Sequence, residues 1–192
     1  LTFGPNSDAD ALIWRYLRAR KYKIDVGTKL LKDTLGWRNQ SKHLKAALDF
    51  KPSPELLAKW GKFFESTYLQ GTSKHGHVVC IDRTVCKDIG KLRQGMNDDE
   101  LQTMWIMHNE YRICKLLKDC SNTAGHTVDK QVAIIDVQKV GLSALRYMGI
   151  LHTLASIDQY HYPEIMFKII IVNSPSLFTT IWSAVSNILD KR

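Results

Sequence analysis

Two short apolar runs in the second half of the chain flank a longer amphipathic stretch. Residues 132–137 and 168–172 are unalternating and rich in β-branched side chains, which predicts two strands covered on both faces. Between them, apolar residues recur at every third position from Leu142 to Ile157, as on one face of a helix of about five turns. The Tyr162-Pro163 pair ends this helix, because proline cannot continue its hydrogen bonds. A strand, a helix and a strand form a βαβ unit, so we predict an α/β fold with a mainly parallel sheet.

The N-terminal third follows the helical pattern throughout. It predicts helices at residues 8–19, 24–38 and 43–48. The sequence Lys51-Pro52-Ser53-Pro54 is the clearest break in the chain, because a helix cannot continue through two prolines so close together. We therefore predict an all-helical lobe at residues 1–54 and an α/β lobe at residues 55–192.

The stretch between the break and the βαβ unit has a mixed pattern. It predicts a helix at residues 55–68, a strand at 78–82, a helix at 100–119 and a loop at 121–130. The run Asn97-Asp98-Asp99-Glu100 caps the long helix.

The C-terminal segment carries no charge from Ile169 to Leu189, a length that could cross a bilayer. Pro175 and several Ser, Thr and Asn residues interrupt it, so we predict a strand followed by a helix at residues 177–189 instead. The apolar face of that helix comprises Phe178, Ile181, Trp182, Val185, Ile188 and Leu189. The opposite face is uncharged, whereas surface helices ordinarily carry Lys and Glu there. Such a helix touches a lipid interface, lines a cavity or packs under residues beyond this chain.

Composition and charge narrow the class of protein. With 44% hydrophobic residues in 192, the chain can bury one substantial core. It begins at leucine without a secretory signal, so we expect an excised piece of a longer cytoplasmic protein whose four cysteines are thiols. Residues 1–74 hold 14 Lys/Arg against 7 Asp/Glu, which is most of the net +8. A basic third of this kind could meet nucleic acid, anionic lipid head groups or an acidic protein. The charges lie between regularly spaced apolar residues, so we expect a solvated helical face for most of them, and among the partners we expect no nucleic acid.

Catalytic and metal signatures are incomplete. Ser143 stands where a nucleophile elbow would place its serine, but the second glycine of G-x-S-x-G is a leucine. Cys86 and Arg93 are one residue too far apart for a cysteine phosphatase loop, and there is no phosphate-binding glycine loop. His75 and His77 have no further ligand at metal-site spacing. We therefore expect a protein that acts by binding, with no metal and no catalytic step.

Several blocks of the sequence resemble one family. Residues 12–22, LIWRYLRARKY, resemble the LLRFLRARKF signature of CRAL-TRIO lipid-binding domains, and Trp37-Arg38 resembles the family's WR. Residues 135–143 resemble its D-L-x-G-x-S turn, and residues 160–175 resemble its YPE … INAP. The spacing between the blocks also agrees, and the match covers nearly the whole chain. The chain is identified on this basis as a member of the CRAL-TRIO family.

The resemblance implies a helical N-terminal lobe on an α/β lobe whose sheet floors a deep apolar pocket. Such a pocket holds one phospholipid or other lipophile, and a mobile helix gates entry to it. Residues 177–189 match the gate, which would meet the bilayer during exchange. Because burial of each CH₂ is worth about 0.8 kcal/mol, a diacyl lipid leaves a membrane only for a dry cavity of comparable depth.

The resemblance also implies a head-group site. In phosphatidylinositol-transferring members, an Arg matching Arg20 and a Glu matching Glu164 belong to it; otherwise Arg20 would complement a helix dipole and Glu164 would pair with the basic lobe. Further members of that site follow beyond residue 192, so we expect the C-terminal strand to be missing. Choline-lipid binders use hydroxyl side chains in the pocket strands where this chain has Cys80, Gln131 and Ala133.

The sequence therefore predicts a monomeric, cytoplasmic domain that binds one phospholipid of the phosphatidylinositol class and exchanges it through peripheral contact with membranes. It needs no cofactor beyond the bound lipid. The alternatives are a carrier of a tocopherol, retinoid or haem, and a membrane-targeting or protein-interaction module of a larger regulator. An acyl hydrolase that uses Ser143 is the least favoured reading.

Overall fold

The structure, a computed structural model, consists of helices around one sheet. It describes residues 9–49, 51, 53–63, 66–83, 95–138, 140–176 and 178–186. The helices are α1 (Ala9–Arg18), α2 (Ile24–Gln40), α3 (Lys42–Asp49), α4 (Pro54–Phe63), α5 (Asp98–Tyr111), α6 (Leu117–Ala124), α7 (Met148–His161) and α8 (Phe178–Val185). The strands are β1 (Ser66–Thr72), β2 (Val78–Asp82), β3 (Gln131–Asp136) and β4 (Met166–Val172). A π-helical turn, Arg112–Leu116, joins α5 to α6, and a 3-10 helix, Leu142–Tyr147, precedes α7.

The predicted mainly parallel sheet is confirmed. Strands β2, β3 and β4 are parallel neighbours in that order, and β1 pairs antiparallel with β2. The prediction of a helix at residues 55–68 was wrong at its end, because α4 stops at Phe63 and Ser66 already pairs with Asp82. Pairing with β2 is a long-range interaction, and it outweighs a weak local preference for helix.

The prediction that β4 is covered on both faces is wrong for the described part. Residues 166–170 are exposed, although four of the five are large and apolar. Within the described sheet β4 lies at an edge, and a register shift between Gln131 and Val132 leaves Phe167 as an extra, unpaired residue. The apolar run therefore borders an open cavity. Hydrophobicity alone does not distinguish a strand that lines a cavity from one that is buried in the core.

The long helix begins where its capping residues predict. The backbone N–H of Glu100 donates to Asn97 Oδ1, and the backbone N–H of Asn97 donates to Glu100 Oε2, each at 2.9 Å. Helix then continues through the π turn to Ala124, so the predicted loop was wrong for residues 121–124. Gly125 ends it with a φ of 68°, in the left-handed conformation that glycine adopts without steric cost.

The helix predicted from Leu142 is divided in two. Its first six residues form the 3-10 helix, and the α-helix runs only from Met148 to His161. An apolar repeat of three residues fits a 3-10 helix as well as an α-helix, because the side chains at i and i+3 lie directly above one another in a 3-10 helix. The end at Tyr162-Pro163 is confirmed.

The N-terminal helices pack on the C-terminal end of α7. Tyr16 Oη donates to the carbonyl oxygen of His161 at 3.0 Å, and Thr34 Oγ1 donates to that of Tyr160 at 2.8 Å. These carbonyls are among those that a helix end leaves without an internal partner. Leu44 of α3 lies in the same apolar cluster as Ile106 of α5. The lobe boundary at residue 54 stays a prediction.

A buried ion pair joins α2 to α5. Arg38 donates from Nη1 and Nη2 to the two carboxylate oxygens of Glu110 at 2.6 and 3.0 Å, and Tyr162 Oη donates to Glu110 Oε1 at 2.6 Å. The Arg38 side chain is only 1% exposed. Burial lowers the pKa of Arg38, but the hydrogen bonds and charge of Glu110 outweigh burial and leave that pKa raised. Burial and the charge of Glu110 raise the pKa of Tyr162, so its hydroxyl stays a donor.

We expect Arg38→Met to lower the free energy of unfolding by about 3–5 kcal/mol, because it leaves the Glu110 carboxylate buried without its counter-charge. Lys29→Met is the matched control, since it removes a cation from the same helix at the exposed Lys29–Asp33 pair, where the loss should stay below about 1 kcal/mol. Urea unfolding measures both. Equal losses for the two variants would show that the buried pair does not hold the helices together.

We expect His161→Phe to make the protein less sensitive to acid. His161 stacks on Trp37 with ring centroids 3.9 Å apart, and burial and the charge of Arg38 lower its pKa from 6.5 to about 4. At pH values between 6.5 and about 4, His161 binds a proton in the unfolded chain but not in the folded chain. The stability that the neutral His161 contributes is therefore present above about pH 6.5 and is lost as the pH falls towards 4. Phe retains the stacking and removes the titration. Urea unfolding from pH 7 to 4.5 should show about one proton fewer taken up on unfolding, and identical pH profiles for the two proteins would contradict this.

Candidate functional site

A cavity of about 570 Å³ lies where α7, β4 and α8 meet. The turn after α7 and the first half of β4 form much of its wall, and Trp182 and Ser186 contribute from α8 and the residue that follows it. Arg20 and Arg112 reach it from two other parts of the chain. The cavity therefore combines an apolar strand with several charged groups. Its volume is within the range of sites for small organic ligands, about 300–1,000 Å³.

Arg20 comes to the cavity through a tight turn after α1. The two residues that follow, Lys21 and Tyr22, have φ of 52° and 61°, an unusual left-handed pair without glycine. The backbone N–H of Tyr22 donates to the carbonyl oxygen of Leu17 at 2.8 Å, which reverses the chain. Arg20 Nη1 donates to the carbonyl oxygen of Ala19 at 2.9 Å. The side chain is thus placed by the turn that ends α1.

Glu164 comes to the same cavity from the turn between α7 and β4. It has a φ of 61°, a conformation that costs a non-glycine residue about 1–3 kcal/mol and persists only where the surroundings hold it. Its side chain is 5% exposed, and Lys130 Nζ lies 3.4 Å from Glu164 Oε2. The structure therefore places Arg20 and Glu164 in the wall of one cavity. Their role in binding a head group stays a prediction.

Three predicted pocket positions lie on β2 and β3. Cys80 pairs with Ala133, and Gln131 lies two residues before Ala133; all three are buried. Gln131 Nε2 donates to Met166 Sδ at 3.3 Å. The described wall of the cavity does not include these residues. Their influence on the choice of lipid stays a prediction.

The predicted gate helix is present as α8. Ile181 is buried, whereas Trp182 is 37% exposed and lines the cavity. The rings of Phe178 and Trp182 stack with centroids 5.7 Å apart. The helix ends at Val185, and the predicted positions Ile188 and Leu189 lie outside the described residues. Gating itself stays a prediction.

Two charged residues of the wall, Arg112 and Asp158, have no signal in the sequence. Asp158 Oδ1 accepts hydrogen bonds from Trp105 Nε1 at 2.9 Å and from Asn109 Nδ2 at 2.8 Å. Burial raises the pKa of Asp158 to about 6, although the charge of Arg112 and both hydrogen bonds act in the opposite direction. In the sequence both residues are ordinary polar positions of predicted helices. Only the tertiary structure turns them towards the cavity.

The described residues offer neither a metal site nor a membrane-spanning helix. No group of three or more His, Cys, Asp or Glu side chains in the described ranges could hold a metal ion. The ring of His77 packs against Phe167 with centroids 4.1 Å apart, and burial lowers the pKa of His77. Among the residues described here, no helix combines the length and apolar character that crossing a bilayer requires.

Comparisons with known proteins agree with this architecture. The chain is similar to the Phosphatidylinositol/phosphatidylcholine transfer protein SFH12 of Arabidopsis thaliana, at 28% identity over 185 residues that cover 94% of the chain and 33% of the relative. It is similar to the SEC14 cytosolic factor of Yarrowia lipolytica, at 26% identity over 184 residues, 94% of the chain and 36% of the relative. The chain thus spans about a third of the length of these relatives.

A likeness to a solved structure supports the fold. The crystal structure of Sfh5 matches with a TM-score of 0.71 at 21% identity, over 95% of this chain and 61% of the other. The family model for the CRAL/TRIO domain matches residues 65–192, which include β1 to β4, α5 to α8 and the cavity wall apart from Arg20. The chain therefore belongs to the CRAL/TRIO domain family.

Proposed function

We propose that this chain binds one phospholipid, of the phosphatidylinositol class, in the cavity and exchanges it with membranes. The exposed apolar residues of β4 carry the proposal. Met166, Phe167 and Ile169 line the cavity, and Ile170 beside them is also exposed. Exposed apolar surface costs about 25 cal/mol per Å², and acyl chains lying along the strand would remove it from water.

The polar part of the wall suits a phosphorylated head group. Arg20 offers a guanidinium to a phosphate, with which it can form charge-assisted hydrogen bonds. Glu164 offers a carboxylate to the hydroxyl groups of an inositol ring. The names of two relatives support the same class of ligand, since SFH12 and SFH7 of Arabidopsis thaliana are phosphatidylinositol/phosphatidylcholine transfer proteins. The proposal includes no catalytic step.

The helix α8 supplies a route for exchange. Its cavity-facing Trp182 is partly exposed, and it follows β4 after a short connection. Tryptophan is enriched where proteins meet the membrane interface, because one part of the ring is apolar and the indole N–H is polar. We therefore propose peripheral contact through α8, which would bring the cavity to the lipid.

We expect a one-to-one adduct with the mass of phosphatidylinositol after incubation with vesicles of phosphatidylinositol, phosphatidylcholine and phosphatidylserine. Native mass spectrometry measures it. An adduct with a lipophile that contains no phosphate would favour the alternative carriers, and haem would also colour the protein. A folded chain, checked by circular dichroism, that takes up nothing from these vesicles would contradict the proposal and favour an interaction module.

We expect Arg20→Ala and Glu164→Gln each to lower phosphatidylinositol transfer roughly tenfold to a hundredfold, because each removes a hydrogen bond to a charged group worth about 1.5–3 kcal/mol. Phosphatidylcholine transfer should change less. The measurement is transfer of labelled lipid between vesicles.

Two control variants separate head-group binding from folding. Arg146→Ala removes an exposed arginine outside the cavity and should leave transfer unchanged. Lys130→Met removes the partner of Glu164. If Lys130→Met reproduces Glu164→Gln for every lipid, Glu164 serves the ion pair and not the head group.

A further inference from the structure

The described cavity wall contains three cations, and Arg112 is buried far more deeply than Arg20 and Lys168. Arg112 is the first residue of the π turn after α5, and it is only 4% exposed although it lines the cavity. Lys168 is exposed and Arg20 half-buried. A guanidinium stays charged in proteins at any ordinary pH. The cavity therefore holds a permanent positive charge away from bulk water.

The hydrogen-bond partners of Arg112 are neutral. Nη1 donates to Asn109 Oδ1 at 3.1 Å, and Nε makes a longer contact of 3.4 Å with Tyr68 Oη. Among the described residues, no carboxylate forms an ion pair with Arg112. Asp158 supplies a counter-charge without direct contact, since the charge of Arg112 lowers its pKa and both side chains bond to Asn109. One such carboxylate does not neutralise the cations of the wall, so an anion in the cavity would stabilise Arg112 further.

Two titratable side chains near Arg112, those of His108 and Tyr68, are uncharged at neutral pH. Burial and the charge of Arg112 together lower the pKa of His108 to about 3, so the neighbouring imidazole is neutral and adds no second positive charge. Tyr68 Oη lies 3.5 Å from His108 Nε2. Burial raises the pKa of Tyr68 although Arg112 acts to lower it, so this hydroxyl is neutral as well.

A chain of hydrogen bonds fixes the orientation of the guanidinium. Asn109 accepts from Arg112 through Oδ1 and donates from Nδ2 to Asp158 and to the carbonyl oxygen of Trp105. The amide is thus held at both ends, and Arg112 cannot turn away without breaking the chain. Donors held in place in this way bind an anion without the cost of reorganisation.

The charges of the wall do not cancel. Glu164 already has Lys130 as its counter-charge, and Lys130 is outside the wall. Asp158 is then the remaining carboxylate of the described wall, against the three cations Arg20, Arg112 and Lys168. The wall is therefore electropositive at neutral pH.

We propose that Arg112, held by Asn109 and Tyr68, is an oxyanion subsite that makes the cavity select lipids with a net negative charge over zwitterionic ones. This inference rests on the proposed function and extends it. The oxyanion is the phosphate of an acidic phospholipid or the carboxylate of a fatty acid, and both would meet the same guanidinium. A zwitterionic head group adds a cation that the electropositive wall repels, so it gains less from Arg112.

The test uses the full chain and native mass spectrometry with equimolar phosphatidylinositol and phosphatidylcholine vesicles, and separately with oleate. Arg112→Met removes the charge and approximately retains the volume. We expect it to lower the ratio of phosphatidylinositol to phosphatidylcholine adducts roughly tenfold to a hundredfold. Arg112→Lys should restore part of the ratio. Arg146→Met, an equal change of charge outside the cavity, should leave it as in wild type.

A second variant keeps the test decisive if Arg112→Met does not fold. Asp158→Asn retains an oxygen acceptor for Trp105 and Asn109 and removes the negative charge of the wall. We expect it to raise the ratio of phosphatidylinositol to phosphatidylcholine adducts. An unchanged or lower ratio in Asp158→Asn would overturn the electrostatic selection.

The outcomes separate the subsite from the proposed function. If wild type binds both phospholipids and Arg112→Met reduces them equally or not at all, the subsite is wrong and the lipid-binding function stands. If wild type binds oleate but not phosphatidylinositol, and Arg112→Met abolishes the oleate adduct, the subsite stands with a carboxylate ligand and the proposed phospholipid is wrong. If wild type binds none of the three lipids, both are overturned.

Discussion

The buried ion pair between Arg38 and Glu110 is the interaction on which the position of the cavity depends. It joins α2 to α5, and Tyr162 donates to the same carboxylate from the turn that leads into β4. Two elements distant in sequence are thereby fixed to the turn that carries Glu164. Because neither charge can return to water while the core is intact, the arrangement persists or fails as a unit.

The cavity shows how a fold can hold apolar surface that the described residues leave exposed. Met166, Phe167 and Ile169 of β4 are exposed and line the cavity, and Trp182 of α8 and Ser186 after it line the cavity as well. A protein that folds to hide apolar surface leaves such a strand exposed only at a cost in stability. A lipid that covers the strand would therefore stabilise the folded chain as well as gain an apolar environment for itself.

We propose that the polar groups of the cavity wall discriminate between lipid head groups. Acyl chains are alike in most phospholipids, so apolar contact supplies affinity but little discrimination. Charged side chains that cannot reorganise discriminate much more strongly, because a mismatched head group leaves them buried and unpaired. Arg20 and Arg112 are held in different ways, the first by a strained turn and the second by an amide chain through Asn109.

The sequence by itself determined the elements whose cause is local: the periodicity of the N-terminal helices, the capping box at Asn97 and the apolar runs of β3 and β4. Its motifs also pointed to the family and to Arg20 and Glu164. Only the tertiary structure decided that β1 is a strand, that β4 is exposed, and that Arg112 and Asp158 face one cavity. These depend on pairing across the sheet and on the packing of helices that are distant in sequence, and neither leaves a pattern in the neighbouring residues.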